Sequence, residues 1–203
     1  MKRITMGIIL ILIAITPLAL WAAVVPGTNS GFVTVAPSTD PAGTSTNYDQ
    51  YGWAQQDTSP AGATTITEIG WYCDTAVDAT DASINFEVGL YDDNAGVPNN
   101  RLYVDNSNAL GEGGGWKTVT VSWAISGNTV YHIAVQLDDT ATATNLNYTV
   151  TTGDGGSKAS AGATTLTDPW VEDAPTSAAV AFYALYESSG AATPNTAYYR
   201  RRM

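Results

Sequence analysis

The sequence predicts an all-β protein, an antiparallel β-sandwich of jelly-roll type, and three observations carry that prediction. Beyond the N-terminal two dozen residues, apolar side chains recur with period two and nowhere sustain a period of about 3.6. Turn clusters punctuate the chain at short intervals, as DDNAGVPNN, GEGGG, SGN and GDGG. About 180 residues follow the N-terminal segment, enough for one domain with a sizeable core and short for two. Seven to nine strands at this spacing make a sandwich or jelly roll.

In chain order, residues 1–23 come first. Lys2 and Arg3 form a basic tip, residues 8–15 are an unbroken apolar run, Pro17 interrupts it and Ala22 and Ala23 close it. That is the pattern of a secretory signal peptide and points to a secreted or cell-surface location. The same segment, extended to Val25, has the roughly 20 residues an uncleaved membrane anchor needs. Residues 24–63 form an extended lead-in rich in Gly, Pro, Ser and Thr, with one alternating piece, Phe32, Val33 and Val35, suited to an edge or donor strand.

Residues 64–190 carry the sandwich. In SINFEVGLYDD, Ile84, Phe86, Val88 and Leu90 face one way, while Glu87, Gly89 and Tyr91 face the other. Tyr131, Ile133, Val135 and Leu137 alternate in the same way with His132, Ala134 and Gln136. WKTVTVSW, NLNYTVTT and AVAFYALYES add strands built on Val119, Val121 and Trp123, on Leu146, Tyr148 and Val150, and on Val180, Phe182, Ala184 and Tyr186. AGATTIT at 61–67 returns as AGATTLT at 161–167, and both read as turns leading into strands. Residues 191–203 are a tail ending in Arg200, Arg201 and Arg202.

The ordered series TTITEIGWYCD, NFEVGLYDDNAGVPNNRLY, GGGWKTVTVSW, GNTVYHIAVQLDD, TTLTDPW and FYALYE resembles a diffuse family of jelly-roll modules of carbohydrate-binding type. Such modules occur in secreted bacterial and archaeal proteins and in phage structural proteins. The resemblance spans residues 64–188 and rests on structural motifs. It implies a non-catalytic role in binding or surface assembly, with polysaccharide or a cell-surface glycan as partner.

Charge narrows the partners. Between residues 24 and 199 only Arg101, Lys117 and Lys158 oppose all 19 acidic residues of the chain, so nucleic acid is excluded as a partner. Membrane contact is expected only through the leader. The lone cysteine, Cys73, rules out an internal disulfide and leaves pairing between chains open.

Catalytic constellations are missing. A Ser or Cys triad needs a histidine base, and the single histidine, His132, reads as a partly exposed strand residue with no carboxylate beside it in sequence. Glycoside hydrolysis needs only two carboxylates, for which Glu87 is the outward-facing candidate, a minor alternative to a protein that is not an enzyme. Asp92, Asp93 and Asn94 place three oxygen-bearing side chains on one turn, which suits calcium and equally suits a hairpin. Asp138 and Asp139 read as a strand end.

Two functional readings remain. Sugar rings pack on flat aromatic faces, and outward-facing Tyr72, Tyr91 and Tyr183 with Glu87, together with Trp170 in a loop after Pro169, form a candidate glycan platform. Alternatively the chain is a structural subunit that binds copies of itself, the lead-in adding Phe32, Val33 and Val35 to a neighbour's sheet and the three terminal arginines docking on an acidic body.

Overall fold

The computed structural model describes residues 24–41, 44–47, 51–74, 85–137, 145–150, 156–159, 164–176 and 178–189. The leader, Ile84, Asp138, Asp139 and the three terminal arginines lie outside them. Every regular element among the described residues is a strand: β1 (Gly31–Val33), β2 (Thr44–Asn47), β3 (Trp53–Thr58), β4 (Ala63–Cys73), β5 (Asn85–Asn94), β6 (Val97–Ala109), β7 (Gly115–Ala124), β8 (Val130–Leu137), β9 (Asn145–Val150), β10 (Gly156–Ala159), β11 (Glu172–Thr176), β12 (Ala178–Val180) and β13 (Phe182–Ser188).

They build a two-sheet β-sandwich. The first sheet runs β1-β13-β4-β9-β12, with β7 also on β4 and β2 on β9, and the second runs β11-β10-β3-β8-β5-β6. Neighbours pair antiparallel except β1, which lies parallel to β13, so the sandwich is mixed at this edge. The alternation decides which side chains go inside. Phe86, Val88 and Leu90 of β5 and Tyr131, Ile133, Val135 and Leu137 of β8 meet Ile66, Ile69, Trp71, Phe182 and Ala184 of the first sheet in one core. Trp71 and Phe86 bridge the sheets edge to face, centroids 5.6 Å apart. Cys73 is buried in this core, out of reach of another chain.

Several elements depart from expectation, β2, β10 and β11 among them, which are strands where the sequence reads as lead-in, turn or loop. The sandwich does not begin at residue 64, because β3 is an interior strand of the second sheet, paired with β10 and β8. Its inward row, Trp53, Gln55 and Asp57, is two-thirds polar, so no apolar alternation announces it. Gln55 instead accepts the Val180 N–H at 2.9 Å and Asp57 accepts the Phe32 N–H at 2.7 Å, joining the sheets along one side. Strand β6 is an edge strand with polar residues on both faces, which hides it in a stretch that reads as turn. The β5–β6 connection holds Ala95 and Gly96 at φ of 55° and 91°, the two positive angles of a tight primed hairpin turn. In β4 a register shift between Ile66 and Glu68 absorbs one residue, and so Ile66 shares the core with Ile69 and Trp71 although the spacing breaks period two.

The two AGATT copies differ in structure. Thr64, Thr65 and Ile66 belong to β4, whereas residues 164–170 are an irregular segment laid over the second sheet.

Candidate functional site

The outward row of β5, Glu87, Gly89 and Tyr91, faces residues 164–170 of its own chain. The Glu87 carboxylate accepts the Leu166 N–H at 2.8 Å, and the Tyr91 hydroxyl donates to the Thr167 carbonyl at 2.7 Å. Arg101, beside Tyr91 on β6, donates through its guanidinium to the Leu166 carbonyl, and its backbone N–H donates to Asp168 at 3.1 Å. Leu166 sits directly over Gly89, where a Cβ would crowd its methyl at 2.8 Å. Trp170 packs edge to face on Tyr91 with centroids 5.2 Å apart, and Ala54 and Ala134 complete this small second core. The peptide bond between Asp168 and Pro169 is cis. Burial holds the Tyr91 phenol well above its ordinary range, so it serves as a fixed donor.

The expected glycan platform is mostly closed. Tyr91 and, on the opposite face, Tyr183 do face away from the main core, but both are fully buried, and Trp170 is buried to within 7%. The half-buried Glu87 carboxylate is held by the cover segment through the Leu166 N–H.

His132 stands next to Tyr91 in the same cross-strand row, between Gln56 and Tyr91. It is not the partly exposed residue expected: its side chain is 0% accessible and its Nε2 lies 2.9 Å from the Asp93 carboxylate. Burial pulls its pKa below the ordinary 6.5, an effect that the bond to Asp93 and the charges of Asp93 and Asp92 partly offset. A buried neutral imidazole donating to Asp93 cannot reach a substrate, so the pair is structural.

Asp93 also accepts Gln56 Nε2 and the Gly96 N–H, each at 3.0 Å. Asp92 turns to the other face of β5 and takes the Asn100 backbone and side-chain N–H groups at 2.6 and 3.0 Å. Asp92 and Asp93, two of the three side chains considered for calcium, therefore diverge, serving as hairpin-closing acceptors. Among the described residues no group of three or more His, Cys, Asp or Glu side chains is arranged to hold a metal.

The outer face of the first sheet carries the same row again on β4: Glu68, Gly70 and Tyr72. Tyr183 of β13 lies across Gly70, where a Cβ would collide with its ring, and donates its hydroxyl to Glu68. Burial, and then Glu68, push the Tyr183 phenol far above its ordinary 10, leaving it a permanent donor. Trp116 of β7 meets Tyr72 at 5.3 Å and Tyr183 at 5.2 Å, both edge to face, while its Nε1 donates to the Thr39 carbonyl at 3.0 Å. Tyr72 is held protonated by burial and by the charge and hydrogen bond of Asp40. Tyr72, Trp116 and Glu68 are only half-buried, and Thr118 and Thr120 of β7 continue the face exposed.

Of the expected site residues, then, Tyr72 and Tyr183 come together on one face and Glu87, Tyr91 and Trp170 on the opposite one. Trp116, Glu68 and Asp40 complete the open cluster. The phase of WKTVTV could have found Trp116, since it sides with Thr118 and Thr120 against Val119. Of the assembly residues, Phe32 and Val33 are buried at 4% and 2% in β1, while Val35 lies beyond the strand, 74% exposed. The lead-in thus has a partner in its own chain, the β13 edge. No family model, curated protein or solved structure matches this chain.

Proposed function

We propose that this chain is a secreted, non-catalytic β-sandwich module that binds carbohydrate on the outer face of its first sheet. The observation that carries this reading is the aromatic corner of Tyr72 and Trp116, half-open above a floor made by Tyr183 and Glu68. Indole and phenol faces at an angle offer an apolar wall to the C–H face of a sugar ring. Glu68, Asp40 and the exposed hydroxyls of Thr118 and Thr120 supply acceptors and donors for sugar hydroxyls along the same face.

Affinity electrophoresis through gels containing dissolved β-glucan, xylan or mannan tests the reading. One of these polysaccharides should retard the chain, and Trp116→Ala should remove the retardation while leaving near-ultraviolet dichroism folded. Equal retardation of wild type and Trp116→Ala, or no retardation by any of the three, would sink it.

A further inference from the structure

We propose that β1 is an exchangeable donor strand, seated on the β13 edge of a second copy of this chain so that neighbouring molecules are joined through residues 24–33. The inference is independent of the sugar-binding reading and rests on how β1 is held.

The seat is specific. Phe32 enters the core between the rings of Tyr131 and Tyr186, with both centroids 6.2 Å away, and its N–H donates to Asp57 at 2.7 Å. Gly31 adopts φ of 69° with no room for a Cβ against the Asp57 carboxylate, and the Ser30 hydroxyl donates to the Val180 carbonyl at 2.6 Å. Without this segment, the inward-facing Asp57 and the aromatic slot between β13 and β3 would stand open along one side of the sandwich. The body therefore requires a strand in this place.

Nothing in the connection requires that strand to come from the same molecule. β1 belongs to no hairpin; it lies parallel to a strand at the far end of the described chain, and residues 34–38 separate it from Thr39 and Asp40, which are anchored on Trp116 and Tyr72. Four of those five residues are exposed and the fifth, Pro37, is half-buried. Turning at this connector delivers every β1 contact unchanged to another copy, the condition under which strand exchange costs little.

Charge favours the segment as the piece that crosses. Residues 24–39 contain no Asp, Glu, Lys or Arg, whereas the rest of the body holds all 19 acidic residues and repels its own kind. An uncharged strand with an apolar Phe-Val centre enters a neighbour's slot without bringing like charge into contact. Its backbone pairing and buried rings, rather than ion pairs, supply the attraction.

The register pairs Val33 with Leu185, and this supplies the test. In a Cys73→Ala background, full-length chains carrying Val33→Cys alone and Leu185→Cys alone are co-expressed under distinguishable tags, oxidised, and resolved on non-reducing gels. A disulfide-linked species containing both tags is expected. A chain carrying both substitutions reports whether the seat tolerates them; cross-linking there within single chains only, with none between the co-expressed pair, overturns the proposal. Light scattering on the unmodified chain keeps the test decisive if neither cross-link forms. The expected mass is a multiple of the monomer, and a strictly monomeric mass at every concentration overturns the proposal.

Discussion

On β5 the row Glu87, Gly89, Tyr91 looks out at a segment of the same chain, and on β4 the row Glu68, Gly70, Tyr72 looks past Trp116 to solvent. The two rows use the same parts. In each, the glycine leaves room for a group laid across the strand, Leu166 in one and Tyr183 in the other. Each glutamate accepts a hydrogen bond from that group, and each tyrosine meets a tryptophan edge to face. What differs is the extent of the cover. Over β5 a continuous stretch of main chain excludes water from Tyr91; over β4 the Tyr183 ring seals Gly70, and Val24, Thr39 and Asp40 of the N-terminal segment touch Tyr72 and Trp116 but leave both half-open. Identical side chains thus make a second core on one face and leave a half-open aromatic corner on the other. A motif alone does not say which.

The largest effect should come from the core that both faces share. Phe86→Ala removes a 2%-exposed ring packed on Trp71 and should cost about 3–5 kcal/mol, read as a fall in the urea midpoint. Trp170→Ala should follow at about 3 kcal/mol, because its ring is buried against Tyr91. Trp116→Ala, its counterpart on the open face, should cost about 1 kcal/mol and lose sugar binding instead. Equal destabilisation by the two tryptophan changes would break the comparison, showing the first face to be closed as well.

How far these differences were legible depends on where each partner lies in sequence. Phe86, Val88, Leu90 and the β8 row declare themselves, because period two with one apolar face is a local property. So does the outward direction of Tyr91 and Tyr183. Their burial is not local: Tyr91 is closed off by Thr167, 76 residues away, and Tyr183 by Glu68, 115 residues away. His132 was illegible for the same reason, its carboxylate partner lying on the neighbouring strand. β3 hid because its inward Gln55 and Asp57 work as hydrogen-bonding stitches between sheets, a role that inverts the usual apolar pattern. The open corner was half legible, through Tyr72, while Trp116 needed the pairing of β4 with β7 to be seen as its neighbour.

The two glutamates give a smaller contrast. Glu87→Ala leaves the Leu166 N–H of the cover without its charged acceptor and should cost about 2 kcal/mol. This is more than a solvated strand residue would cost, and the loosened cover should show as faster amide exchange at Leu166 and Trp170. Glu68→Ala should cost less, since the Tyr183 hydroxyl lies at a half-open face where water can replace the carboxylate. Protection at Leu166 unchanged by Glu87→Ala would mean that the aromatic contacts alone hold the cover.

The smallest effect is a slope with pH, and on the covered face it comes from His132. His132 is buried there with its pKa depressed below 6.5, so the unfolded chain takes up a proton at a pH where the folded chain still refuses it. Its contribution is therefore fully present above pH 6.5 and is lost as pH falls through the depressed folded value. Asp57, on the β1 side, runs the other way: burial raises its pKa above the ordinary 3.8, so its contribution is present in acid and lost as pH rises through the raised value. The two oppose each other in mild acid, which makes the raw melting curve a poor reporter of either. The difference between wild type and His132→Gln, measured by thermal melts from pH 8 to pH 5, isolates the first. Glutamine keeps a donor for Asp93 but cannot titrate, so wild type should lose ground to the variant steadily as the pH falls below 6.5. A constant difference across that range would mean that the cover opens readily enough to hydrate His132, and that the second face is no more closed than the first.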